Sequence, residues 1–245
     1  MQIHFSKSAE ELGADAAKLT ASLINKAIRE KGNARIILST GASQFTMFTA
    51  LLRENVDWKK VTMFHLDEYI GLDENHPASF IKYLKERFVS KIDIGEVHFV
   101  DISNGVAEAI ESLTAELNKA QIDVGLIGIG VNGHIAFNDP PADFEIETAY
   151  KVVDLDETCR NQQLGEGWFP TLDDVPKQAV SMTVKQIMKC KTLVSAVPYA
   201  VKADAVRGTL FTGVTPDVPA TIMKTHADWH LFVDSDSSAA TGIRF

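Results

Sequence analysis

A chain of 245 residues, 45% hydrophobic and with a formal net charge of −9, is long enough to bury a substantial core. The acidic balance excludes a general nucleic-acid or anionic-membrane surface, because phosphate backbones demand clustered Lys and Arg, yet it leaves room for a local basic pocket around a small phosphorylated ligand. No apolar run approaches the ~18 residues of a membrane span and the first twenty residues carry no signal-peptide pattern. Cys159 and Cys190 lie far apart without CxxC or Cys/His spacing, which reads as two buried or idle thiols rather than a disulfide or metal framework. With no linker, charge block or repeat dividing it, the expectation is one domain over residues 1–245, cytoplasmic, with no nucleic-acid or membrane partner and homo-oligomerisation left open.

Taken in order, residues 8–31 place Leu12, Ala16, Leu19, Leu23 and Ile24 at helical spacing, with Gly32 and Asn33 as the stop. Residues 34–39, ARIILS, are a β-branched run leading into Thr40, Gly41, Ala42 and Ser43 and then a helical pattern to Leu52. Residues 61–66 predict a strand closed by Asp67 and Glu68. A helix over 78–89, a strand over 97–100 and a helix over 105–120 follow. The apolar run 124–129 breaks at a glycine turn that delivers Asn132 and His134, with Asn138 and Asp139 just beyond.

From Asp139 to about Lys177 the chain lacks a regular pattern, which suggests a functional loop, lid or insertion. Residues 180–188 predict a helix, 192–197 a strand, 199–207 a helix and 229–233 a last strand. Strands alternating with helices imply right-handed βαβ units, hence a three-layer αβα sandwich with a doubly wound, mostly parallel sheet of Rossmann type.

The chemistry-bearing residues fall just past strand carboxyl ends, where such sheets bind ligands. The Thr40, Gly41, Ala42, Ser43 turn lets backbone approach an anion closely, although the same small residues also cap ordinary helices. There is no GxxxxGKS loop. GIGVNG matches GxGxxG only loosely and has no acidic residue in the right context downstream, so a dinucleotide site is discounted. Asp67 suits a general base or a surface turn. His134 with Asp139 five residues on suits an oriented proton donor, and Lys202 a phosphate clamp or a surface charge.

LSTGAS, HLDEYIGL followed by HPASF, GIGVNGHIAFNDP, VPKQAVSMTV and VPYAVKADAV, in this order, resemble the glucosamine-6-phosphate deaminase family, whose relatives include the 6-phosphogluconolactonases. The resemblance implies conversion of an amino-sugar 6-phosphate to a ketohexose 6-phosphate and ammonia, without metal or organic cofactor. It assigns Asp67 as the base between C2 and C1, and His134 as the ring-opening group assisted by Asn132 and Asp139. Thr40, Gly41, Ala42, Ser43 and Lys202 become the phosphate site. Alternatives within the resemblance are a deaminase preferring galactosamine 6-phosphate, a phosphosugar lactonase and a non-catalytic sugar-phosphate sensor. HLDEY and NGHIAFN favour deamination over lactone hydrolysis, and no basic helix-turn-helix segment supports a sensor.

The chain departs from the family pattern in five places. Asn132 stands where well-known bacterial members have an acid, although other members also carry Asn there, and Asp139 where glutamate is usual. Either the histidine relay is expected to work through a longer contact or a water, or ring opening is expected to be slower. LSTGAS replaces LPTGGT. Residues 160–169 replace the segment with a phosphate-binding arginine, which makes Arg160 the candidate, with Gln163 as the other occupant of that place. The acidic ADFEIET run replaces a Ser- and Arg-rich one, so activation by N-acetylglucosamine 6-phosphate is not expected.

Overall fold

The computed structural model describes residues 1–165 and 167–243; Glu166, inside the divergent 160–169 segment, lies outside them. The chain opens with an unanticipated strand, β1 (Gln2–Ser6), before helix α1 (Ala9–Lys31). Ser8 caps α1 by accepting from Glu11 N–H at 3.3 Å, while Glu11 accepts from Lys7 N–H at 2.6 Å, and Gly32 closes it in the left-handed region at φ 86°. The next elements are β2 (Ala34–Leu38), α2 (Phe45–Leu51), β3 (Val61–His65), β4 (Asp67–Tyr69), α3 (Phe80–Arg87), β5 (Glu96–His98), α4 (Val106–Leu117) and β6 (Val124–Leu126). They continue with β7 (Tyr150–Asp154), α5 (Glu157–Gly165), β8 (Gln178–Met182), α6 (Val184–Met188), β9 (Thr192–Val197), α7 (Ala203–Phe211) and β10 (Trp229–Asp234).

Seven strands form one sheet in the order β1-β10-β9-β6-β2-β3-β5, and every pairing in it is parallel. Its central strands β2, β9 and β10 are buried at every position, as strands covered on both faces must be. Side chains alternate between the two layers: Ile37, Phe64 and Leu193 enter one core, Ile36, Met63 and Val194 the other. From β2 the chain steps outward to β3 and β5, whereas from β6 it steps the other way to β9 and β10. The order therefore reverses between β2 and β6, which is where a doubly wound sheet opens a crevice at its carboxyl edge.

The segment 139–177, read as patternless, is instead partly ordered. It holds β7 and α5, and with β4 and β8 it builds a small antiparallel sheet, β4-β8-β7. Residues 180–188 are likewise a strand followed by a helix: β8 ends at Met182, and Thr183 accepts from Gln186 N–H at 3.2 Å to start α6. Among the described residues, no helix is long and apolar enough to cross a membrane.

Candidate active site

A cavity of ≈ 300 Å³ opens at the carboxyl ends of β9, β6, β2 and β3, four strands adjacent in the sheet and astride its reversal. Each contributes one wall. Past β2 come Thr40, Gly41, Ala42 and Ser43; past β3, Asp67; past β6, the loop with Gly130 and His134; past β9, Tyr199 and Lys202. Among the described residues lining the cavity, Lys202 is the only lysine or arginine.

The two carboxylates of HLDEY separate as alternation along a strand requires. Glu68 turns away, accepting from Ile81 N–H at 2.8 Å and Ser79 O–H at 3.0 Å, and so ties the start of α3 to the small sheet. Asp67 faces the cavity and is 6% exposed. Burial pushes its carboxyl up to about 8; the nearby charges of Glu68 and Asp139 add to the rise, and the Phe137 N–H pulls against it. A carboxyl placed there exchanges protons near neutrality, which is what a general acid–base group needs.

On the next wall, His134 Nδ1 lies 3.1 Å from Asp139 Oδ1, within contact distance but off the axis of an ideal ring N–H bond. Asn132 binds both partners: its amide nitrogen donates to Asp139 Oδ1 and its oxygen accepts from His134 N–H, each at 3.0 Å. The shorter acid thus reaches the ring directly, and the longer or water-bridged relay anticipated from the sequence is not what forms. Burial alone would raise Asp139. The bond and charge of His134, the Asn132 amide and the Cys159 thiol outweigh it and bring the carboxyl down to about 2. Asn132 and Asp139 stand behind the histidine and do not line the cavity. Asn138 is structural, donating to the carbonyls of Ile135 and Met182 at 2.9 Å and fastening the loop to β8.

The 40–43 turn is held open by Gly41 at φ 105°, a conformation that L side chains avoid, and the Tyr83 hydroxyl anchors it by donating to Gly41 O at 2.7 Å. A 3₁₀ turn, Ala42–Gln44, intervenes before α2. The Tyr199 backbone is also strained, at φ 80°, and is fixed by donating its N–H to Asp234 Oδ2 at 3.0 Å. Strain of this kind concentrates where a loop must aim a functional group; here the next residues are the 3₁₀ turn Ala200–Lys202.

Arg160 does not join the site. Its guanidinium donates to Val175 O at 3.2 Å and to Leu172 O, because α5 presents that side chain to the adjacent loop. The cavity receives Gln162 and Gln163 from α5, and Trp168 just beyond it. The sequence left the role of residues 162–169 open, with a tryptophan in a polar segment as the available signal. Cys159 is buried, in agreement with one of its two expected states, and its thiol acts on Asp139.

The structure is a Rossmann-like α/β fold whose switch-point crevice brings together a buried carboxyl, a histidine paired with an aspartate, a glycine-opened turn and a lysine. The family model for glucosamine-6-phosphate isomerases/6-phosphogluconolactonase matches residues 7–231, and the chain belongs to that family. It is 35% identical over 234 residues to the glucosamine-6-phosphate deaminase of Thermoanaerobacter pseudethanolicus, covering 92% of this chain and 90% of that one. With glucosamine-6-phosphate deaminase 1 of Bacillus subtilis it shares 33% over 249 residues, covering 98% and 99%. A solved monomeric glucosamine-6-phosphate deaminase superposes with a TM-score of 0.88 at 30% identity, covering 98% of this chain and 100% of that one. The 6-phosphogluconolactonase of Thermotoga maritima superposes at 0.78 with 18% identity, covering 96% and 99%; the likeness there is one of fold.

Proposed function

We propose that the protein is a hexosamine-6-phosphate deaminase. It converts glucosamine 6-phosphate, or its galactosamine epimer, with water to a ketohexose 6-phosphate and ammonia. The observation that carries this reading is that Asp67 and His134, the latter backed by Asp139, line one cavity whose other two walls are the 40–43 turn and the segment with Lys202. The whole of residues 1–245 serves it as a single domain, and the setting of its chemistry is the cytoplasm.

The phosphoryl group anchors on the turn and Lys202, and this remote binding energy orients the sugar. His134 passes a proton to the ring oxygen as the bond from it to C1 breaks and the C1 hydroxyl gives up its proton to form the aldehyde C=O, and Asp139 stabilises the charge on the imidazole. Asp67 in its ionised form takes the proton from C2. The C–H pair forms the C1=C2 bond while the C1=O pair moves to its oxygen, which takes up a proton, giving an enolamine. Asp67 then returns its proton at C1 as the nitrogen lone pair forms the C2 iminium. Water adds there and ammonia departs, so the step is an isomerisation completed by hydrolysis. Each positioned proton transfer contributes about 10²–10⁴ in rate. The acidic run in 143–147 faces Lys185, with Glu145 and Glu147 at 3.1 and 2.6 Å, which supports the expectation that N-acetylglucosamine 6-phosphate does not activate through that segment.

The test is to incubate the purified protein with glucosamine 6-phosphate, galactosamine 6-phosphate and 6-phosphogluconolactone, following ammonia and acid. Ammonia from at least one amino sugar is expected; acid from the lactone with ammonia from neither amino sugar overturns the reading.

A further inference from the structure

We propose that Gln163 is the residue that selects the phosphoryl end of the substrate, as a neutral hydrogen-bond donor opposite Lys202, and that Tyr69 orients it. The proposal rests on the deaminase reading of the cavity and concerns how that cavity holds its anion.

Gln163 and Cys159, one helical turn apart, are the buried face of α5. Gln163 is only 6% exposed, and what it exposes lines the cavity. A glutamine amide offers one acceptor oxygen and two N–H donors. The oxygen is taken: Tyr69 donates its hydroxyl to Gln163 Oε1 at 2.6 Å. Tyr69 itself cannot turn away, being 2% exposed and enclosed by the rings of Phe80, Phe137 and Phe169 at 5.0, 5.2 and 5.7 Å. The Gln163 Nε2 group has no hydrogen-bond partner among the described residues, and it is not one of the sealed, unsatisfied atoms. Two oriented N–H donors therefore meet the cavity with nothing to bind among the described residues.

Their place along the cavity follows from Trp168. That residue borders the main cavity and also the adjoining recess formed by Gly41, Ala42 and Tyr69, so the wall made by α5 and Trp168 stands against the 40–43 turn. The acid–base pair of His134 and Asp139 belongs to the loop after β6. The donors of Gln163 thus face the end of the substrate bound by the turn, where the acceptors are phosphoryl oxygens. Arg160, three residues earlier on the same helix, is engaged with Val175 and Leu172 and holds α5 in place.

A neutral amide adds direction without charge. Lys202 then carries the fixed charge attraction alone, and substrate affinity depends only weakly on ionic strength. This differs from a site built on two cations.

The experiment measures binding of glucitol 6-phosphate by calorimetry, and kcat and KM for the amino-sugar phosphate, in wild type, Gln163→Leu, Gln163→Glu, Gln163→Arg and Tyr69→Phe at low and high salt. Gln163→Leu is expected to weaken glucitol 6-phosphate binding and raise KM by about tenfold, with kcat within about threefold, as loss of a hydrogen bond to a charged group predicts. Gln163→Glu, nearly isosteric, should lose more, with part of the loss recovered in high salt. Gln163→Arg should bind more tightly than wild type at low salt and show a steeper salt dependence. Tyr69→Phe should shift KM in the same direction as Gln163→Leu by a smaller factor. Unchanged 6-phosphate binding in Gln163→Leu and Gln163→Glu, with wild-type turnover intact, overturns this inference alone. A wild-type protein that neither binds glucitol 6-phosphate nor releases ammonia overturns the deaminase reading with it.

Discussion

A side chain at position 130 collides with the imidazole of His134: a Cβ built on Gly130 falls 2.2 Å from Cε1 and 2.3 Å from Nε2. The glycine that breaks the apolar run after β6 is therefore what lets the histidine ring lie against its own loop, and that packing aims the ring at the cavity. Gly130→Ala should lower kcat/KM by about 10²-fold, the cost of displacing a reacting group by ~1 Å. Steady-state kinetics with a thermal melt checks this; wild-type activity in a folded Gly130→Ala protein contradicts it.

The Asp67 carboxyl, raised to about 8 in the free cavity, sets the pH dependence of turnover. Only the ionised form accepts the C2 proton. The value of kcat/KM should therefore rise close to tenfold per pH unit below 8 and level above it, because that ratio reports the free enzyme. A profile flat between pH 6 and 9 contradicts the assignment.

The same shift has a consequence for stability. The folded pKa of Asp67 lies above its ordinary value of 3.8. The contribution is fully present below 3.8 and is lost as pH rises through 8. Asn cannot ionise, so Asp67→Asn should melt higher than wild type at pH 9, with the advantage vanishing near pH 4; each ~1 kcal/mol gained shifts the midpoint by about 2–4 °C. His65 acts in the opposite sense. Burial lowers it from 6.5 to about 3, so its contribution is present above 6.5 and lost as pH falls toward 3. Melting curves across pH 4–9 separate the two limbs, and an Asp67→Asn protein less stable than wild type at pH 9 contradicts the first.

The contact between His134 and Asp139 is already closed at 3.1 Å, which leaves no gap for a longer acid. Asp139→Glu should cost several-fold in kcat, and Asp139→Asn about 10²-fold by removing the charge that stabilises the imidazolium. Full activity in Asp139→Glu contradicts the direct contact.

Arg160 separates what the sequence suggested from what forms. Bonded to two loop carbonyls, it holds α5 to the loop that follows. Arg160→Ala should reduce stability by about 1–3 kcal/mol while KM for the phosphorylated substrate changes less than about threefold. A large KM increase without loss of stability restores it to the phosphate site.

Those contrasts show what the sequence made legible. The parallel strands could be read because β2, β9 and β10 are continuous apolar runs, and the cavity walls because their residues follow strand ends. What escaped was short or depended on tertiary partners. Edge strand β1 has mixed burial. β7 buries only Tyr150 and otherwise alternates between half-buried and exposed residues within the small sheet, and β8 runs straight into α6, so an apolar run read as one helix changes state at the Thr183 cap. Roles in the site followed the same rule. Asp67, His134 and Lys202 are placed by their strands, whereas the opposed fates of Arg160 and Gln163, three residues apart on α5, depend on which face that helix turns inward, and its apolar pattern is too sparse to tell.

The central claim is that Asp67 moves the proton that turns an amino-sugar phosphate into a ketose and ammonia. Ammonia release from glucosamine 6-phosphate and galactosamine 6-phosphate, followed in parallel for wild type and Asp67→Asn with glucitol 6-phosphate binding measured on both, tests it most directly. The account predicts ammonia and ketohexose 6-phosphate in equal amounts from wild type, and none from an Asp67→Asn protein that still binds glucitol 6-phosphate. Equal ammonia release by the two proteins, or none from wild type with either sugar, would contradict it.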